Sequence, residues 1–292
     1  MTSARLPRTA LAVLVPALAA SSALAASWAL WSSGGPGPSE HLSVHGRTVV
    51  LYGQGLYRHM SADVAVQGLA QDYVTLFVAL PVLLVAWRRA IGGSLRARLV
   101  LAGTLGYFFL TYLFYLAMAF YNAMFLAYVV ALGTAFFALT LTMLSFEVAC
   151  LPAVIDPRVP ARLIGGFTVS VAAAIGLLWL GVVVPPLADG TVVPEAIAHY
   201  TTLIVQGYDL ALFLPIGITS GVLLYRRAPA GFLLGTVNLV FLSILMLALV
   251  AKLIAMAMAG ASVMPAVVII PVFWLGAVAG AVTLLGGVAP NA

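Results

Sequence analysis

The residues best placed to do chemistry in this chain are Asp72, Asp209 and Lys252, because each is a charged side chain set inside a long apolar run. An ionised group at mid-bilayer costs about 2.5 to 3.5 kcal/mol even on lenient insertion scales, so all three need partners, water or a ligand. The helical rise puts them on the order of 10 to 15 Å below one surface, deep enough to share a layer. Two carboxylates facing one ammonium leave a surplus negative charge if all are ionised in a low-dielectric interior. Either one carboxyl keeps its proton, or a cation or cationic solute completes the set.

Other polar residues follow these three at helical spacing. Gln67, Gln71 and Thr75 accompany Asp72 across about 140° of the second span, while His199, Thr202, Gln206 and Asp209 fall within about 80° of the sixth. Tyr107, Thr111, Tyr115 and Asn122 lie within about 80° on the third, and Asn238 shares a face with Lys252 on the seventh. Lipid satisfies none of these groups, so the stripes are expected to face inward and toward each other. The expectation is an outward-open polar pocket, with Asp72, Asp209 and Lys252 supplying charge and Gln71, Gln206, Tyr115 and Asn122 as hydrogen-bonding walls. The competing reading is that the same residues only pair between helices as structural glue.

The elements that must position them are membrane spans. Of 292 residues 64% are hydrophobic and 7% charged, with a mean hydropathy of +1.15; soluble domains carry roughly 25% charged residues. Apolar runs cover Thr9 to Trp31, Val64 to Trp87, Leu99 to Tyr121, Ala123 to Phe146, Ile164 to Val184, His199 to Tyr225, Gly231 to Ala259 and Val263 to Val288. Each is about 20 residues or longer, enough for a helix to cross the hydrocarbon core. Continuous rather than alternating hydrophobicity excludes a barrel. The fold class is therefore all-α, a polytopic transmembrane bundle of about eight helices. Seven would remain if the first run were a cleaved signal peptide, which Arg5, Arg8 and the small residues Ser22 to Ala26 resemble. Continuation of that run through Trp28 and Trp31 favours an uncleaved anchor.

The 13 basic residues outnumber the 8 acidic ones, but they sit in short clusters between spans and read as topology signals rather than as a nucleic-acid surface. Arg5, Arg8, Arg88, Arg89, Arg96, Arg98, Arg158, Arg162, Arg226 and Arg227 fall on one side, with only Arg47 and Arg58 on the other. Both termini are thus expected in the cytoplasm.

An internal duplication is also expected within the single transmembrane domain, 1–292, with halves 1–150 and 151–292. The second and sixth spans both carry an aspartate and end in Arg-Arg-Ala, at Arg88 and Arg226. The helices that follow, aligned from Gly103 and Gly235, place Thr111 opposite Ser243. Such parallel repeats occur in transporters, with sites between the halves.

The outer loop, 32–63, starts with a Gly/Pro-rich stretch, and Arg47 to Tyr57 could form a small hairpin over the bundle mouth. Glu40, His41, His45, His59 and Asp63 make a metal site conceivable there, yet their spacing specifies none, so no metal and no cofactor is expected. Cys150 is alone and excludes an intramolecular disulfide. Glu147 can pair with Arg158 or Arg162. Gly231, Gly235, Gly276 and Gly280 are small-residue packing positions, and Pro81, Pro215 and Pro271 are expected to kink their helices or free carbonyls.

The segment from His199 through Gln206 and Asp209 to Leu210, and Leu51-Tyr-Gly-Gln-Gly-Leu-Tyr-Arg-His59, resemble patterns in uncharacterised bacterial polytopic membrane proteins. That resemblance implies a bacterial inner-membrane location and no particular activity. Three functions stay open: a small-solute or proton-coupled transporter, which the aspartates and Lys252 favour; a sensor or accessory subunit; and a membrane-embedded enzyme, for which no hydrolase serine motif or deep histidine speaks. The expected partners are the lipid bilayer and a small solute or cation.

Overall fold

The computed structural model describes residues 6–289, so Arg5 lies outside the described residues. Eight helices are long and apolar enough to cross a membrane: α1 (Arg8–Trp31), α2 (Ala62–Ile91), α3 (Leu95–Met118), α4 (Phe125–Leu144), α5 (Ala161–Ala188), α6 (Ile204–Tyr225), α7 (Pro229–Met258) and α8 (Ala266–Gly287). The chain is a polytopic helical membrane protein. The bounds differ from the expected runs by a few residues, and two of the differences displace candidate site residues. The third stops at Met118 because Phe120 takes a left-handed φ of 56° and turns the chain away. The sixth starts at Ile204 rather than His199, because the preceding segment is a loop in which Ala198 has a φ of 50°.

At the centre α3 crosses α7; α2 packs against both, α4 lies on α3 and α1 on α4 and α2, while α6 and α8 lie on α7 and α5 on α6. The crossing is close because Gly103 has no side chain: a Cβ there would sit 2.5 Å from Val240 Cβ. Gly165 and Gly221 do the same between α5 and α6, where an added Cβ on Gly165 would meet the Gly221 carbonyl at 2.5 Å. Small residues at such crossings replace the hydrophobic drive that lipid cannot provide. The first and the last helix begin and end, respectively, at one face of the bundle, where Asp156 N–H donates to the Gly287 carbonyl at 2.8 Å and Arg96 donates to the Val288 carbonyl. We call this face the terminal end. Arg8, Arg88, Arg89, Arg96, Arg98, Arg158, Arg162, Arg226 and Arg227 flank it, whereas Arg47 and Arg58 lie in the loop at the opposite, hairpin end.

Helices α2 and α6 share a break. Each contains a five-residue π-helical segment, Thr75–Ala79 in α2 and Asp209–Phe213 in α6, followed by Leu-Pro. Proline lacks the N–H that residue i−4 would accept and its ring crowds that carbonyl. The wider π turn absorbs both defects, with Leu80 N–H bonding Thr75 O and Leu214 N–H bonding Asp209 O. Each break leads into a 12-residue helix. The turns that follow have matching hydrogen bonds, Gly93 to Ala90 and Ser94 to Arg89 in one, Arg227 to Leu224 and Ala228 to Leu223 in the other. This backbone correspondence pairs Gly92 with Arg226, one helical turn away from the register that the two Arg-Arg-Ala motifs suggest. Arg227 takes the left-handed place of Gly93, and its guanidinium donates to the Pro157 and Val159 carbonyls at 2.9 and 2.7 Å, which offsets the strained φ.

The outer loop holds a hairpin of β1 (Ser39–Leu42) and β2 (Thr48–Leu51), with Ser39 opposite Leu51 and Leu42 opposite Thr48. The expectation of a hairpin within Arg47 to Tyr57 is corrected: only its second strand lies there, since the left-handed Gly53 and Gly55 bend the rest back toward the bundle. Arg158 pairs with Asp156 at 2.7 Å rather than with Glu147.

Candidate functional site

Asp72 sits on α2, 1% exposed, just before the π segment. Its carboxylate accepts from Tyr57 Oη at 2.6 Å and from Tyr115 Oη at 3.1 Å. Tyr57 arrives from the outer loop. Gly68 makes room for it, as a Cβ there would lie 3.1 Å from the Tyr57 ring. Burial and the neighbouring Asp72 carboxylate push the Tyr57 phenol well above its ordinary pKa, so it keeps the proton it donates. One residue back, Gln71 Nε2 donates to Tyr107 Oη at 2.8 Å and Thr111 Oγ1 at 3.1 Å, and Thr75 Oγ1 bonds Tyr107 Oη at 2.9 Å. These buried bonds tie α2 to α3, and Gln71 Oε1 remains without a partner.

A cavity of about 450 Å³ lies beside this network. Gln71, Tyr115, Gln206, Asp209 and Lys252 all line it. Asp72 does not; Tyr57 and Tyr115, which do, engage its carboxylate from the cavity side. The expected three-charge pocket is thus two charges in the wall and one behind it. Asp209, at the first position of the α6 π segment, accepts from Trp179 Nε1 of α5 at 2.8 Å. Lys252 feels both Asp72 and Asp209 electrostatically, yet among the described residues the one ion pair within 4.0 Å is Arg158–Asp156. Two opposite charges therefore share an apolar enclosure without closing on each other.

Asn122 is not part of this cavity. Because α3 ends at Met118, the helical projection that put Asn122 on the Tyr107 stripe stops short of it. Its Oδ1 accepts from Met124 N–H at 2.9 Å at the start of α4, and it borders a separate cavity of about 220 Å³ with Trp28, Arg58 and His59. His199 likewise precedes α6, so the α6 stripe that reaches the cavity is Gln206 and Asp209, with Thr202 in the loop above.

At the hairpin end the two outer loops are stitched together. His199 Nε2 bonds the His59 carbonyl at 3.0 Å, His45 Nε2 bonds the Tyr200 carbonyl at 3.1 Å, and Arg47 donates to the Val193 carbonyl at 3.2 Å. Burial lowers the His199 pKa, with the nearby His41 ring adding to it and the His59 carbonyl opposing. The loop histidines serve these separate contacts, and among the described residues no three metal-ligating side chains converge.

Tyr57, Trp179 and Thr168 carry no mark in the sequence that points to the site, whereas Asn238 lies on the Lys252 face as expected. Tyr57 followed a Gly-Gln-Gly turn that was visible, but nothing in a loop tyrosine marks it as a partner for a carboxylate 15 residues on. Asn238, 7% exposed with an unpartnered Nδ2, lines the lower end of the cavity with Thr168 and Gly217.

Comparison with protein-family models, curated proteins and solved structures gives no match.

Proposed function

We propose that this chain is a membrane transporter for a small solute, with the cavity on Asp209 and Lys252 as its substrate site. The observation that carries the reading is the unclosed Asp209 and Lys252 pair in the wall of a 450 Å³ cavity. A structural pair would close into contact to offset its desolvation, whereas a binding site keeps its charges apart for a ligand. Further support comes from the π breaks of α2 and α6, one beginning at Asp209, since interrupted helices commonly flank transporter sites. The basic clusters favour a terminal end in the cytoplasm and a cavity reached from outside, in a bacterial inner membrane. The matching breaks and turns favour two parallel halves, 1–150 and 151–292.

Among the described residues Asp209 is the one carboxylate in the cavity wall, so it is assigned the coupling proton. Solid-supported-membrane recordings on proteoliposomes, screening amines, carboxylates and zwitterions under a proton gradient, test this. The expected outcome is a saturable current for one class, abolished by Asp209→Asn. Silence across all classes, or an undiminished current in that variant, contradicts the reading.

A further inference from the structure

We infer that the solute is a zwitterionic amphiphile, with a primary ammonium and an acidic group on one head and an apolar chain behind it. This rests on the cavity being a substrate site and names what the site takes. At the head end, Trp179 occupies Oδ2 of Asp209 and leaves Oδ1 to accept a ligand ammonium, while the Lys252 ammonium has three donors for an acidic group. A purely anionic solute would leave Asp209 uncompensated, and a purely cationic one would leave Lys252 only the distant Asp72, whose carboxylate is already engaged by Tyr57 and Tyr115 behind the wall. A zwitterion answers both.

The length of the cavity argues for the chain. On α7, Asn238 and Lys252 lie about 21 Å apart along the axis and about 40° apart around it, so they bound one face. Phe241, Leu242, Leu245 and Leu249 line the cavity between them, and on α5 Val171 and Ile175 line it between Thr168 and Trp179. A short zwitterion such as an amino acid would fill only the polar end and leave this apolar slot to water. An apolar chain fills it and ends at the Asn238 and Thr168 floor.

The probe is lauroyl lysophosphatidylethanolamine added to the full-length protein in phosphatidylglycerol nanodiscs, read by the Trp179 emission that Trp179→Phe removes. Saturable change is expected, about tenfold weaker in Asp209→Asn and in Lys252→Met, each replacing one charge-assisted contact, with binding retained in folded Lys252→Arg. The same change in phosphatidylethanolamine nanodiscs without probe also supports the inference and makes the bilayer the source. Equal binding of lauroyl lysophosphatidylglycerol, which has no ammonium, or of leucine, whose short side chain cannot fill the slot, overturns the inference while leaving the substrate site standing. No saturable response to the probe overturns it as well. Loss of the site itself would show separately, as proton-driven currents that Asp209→Asn leaves unchanged.

Discussion

Around Asp72 two phenols do what lipid cannot, giving a buried carboxylate hydrogen bonds from the loop and from α3. Leaving a buried polar group without its partner costs about 1 to 3 kcal/mol, and the 2.6 Å Tyr57 bond is the shorter of the two. Tyr57→Phe should therefore destabilise the fold by about 1 to 3 kcal/mol in equilibrium unfolding, with Tyr115→Phe costing less. Equal stability of Tyr57→Phe and wild type would show that the bond is not a fold contact. At the loop junction the sign follows from His199, whose pKa is lowered below its ordinary value of 6.5. The unfolded loop then binds more protons than the docked one, so docking is strongest above about pH 6.5 and weakens as pH falls. The groups facing His199 are the His41 ring, the His59 carbonyl, Phe120 and Tyr200. Hydrogen exchange in 39–60 should accelerate between pH 7.5 and 5, after correction for intrinsic rates, and His199→Phe should remove that dependence. That Asp72, Asp209 and Lys252 would lie within apolar helices was legible from their positions in the sequence. Their partners were not, because Trp179 lies 30 residues from Asp209 and only the folded bundle selects it.

Among the helices, span existence was legible from length and hydropathy, since lipid forces closed backbone hydrogen bonding on any apolar run that crosses it. Helix ends were less so. A left-handed Phe120 and Ala198 end the α3 and α6 patterns where the apolar run itself continues, and that displaced Asn122 and His199 from their projected stripes. The prolines at 81 and 215 were visible, but whether a proline kinks its helix or sits behind a π turn depends on neighbours. Close crossings give a sharper test of the assembly. Gly103→Leu should cost about 1 to 3 kcal/mol or displace α3 from α7, because its first carbon already collides with Val240. Gly133→Ala on α4, with nothing within 4 Å, should stay within about 0.5 kcal/mol. Comparable losses in both variants would count against the α3–α7 crossing.

For the molecule as a whole, α1 is a packed member of the bundle, burying Leu11, Val15, Leu18, Ala25 and Ala26 against its neighbours. Cleavage after Ala26 would strip that face, so the intact mass of the purified protein should equal that of the chain with α1 retained. Packing is uneven across the bundle: α1 packs along α4, while α5 and α8 touch little, and the cavity lies between α2 and α3 on one side and α5, α6 and α7 on the other. No pattern within one span could have announced that difference, because it arises from how helices far apart in sequence are set against one another. The most direct test of the central claim, a wet cavity on Asp209 and Lys252 open at the hairpin end, is thiol labelling in intact cells on a Cys150→Ser background. Gln206→Cys and Leu249→Cys in the cavity wall should react with a membrane-impermeant maleimide, as the loop control Ser39→Cys does, while Leu275→Cys on the outward, lipid-facing surface of α8 should not. Unreactive cavity positions beside a fully labelled Ser39→Cys would contradict it.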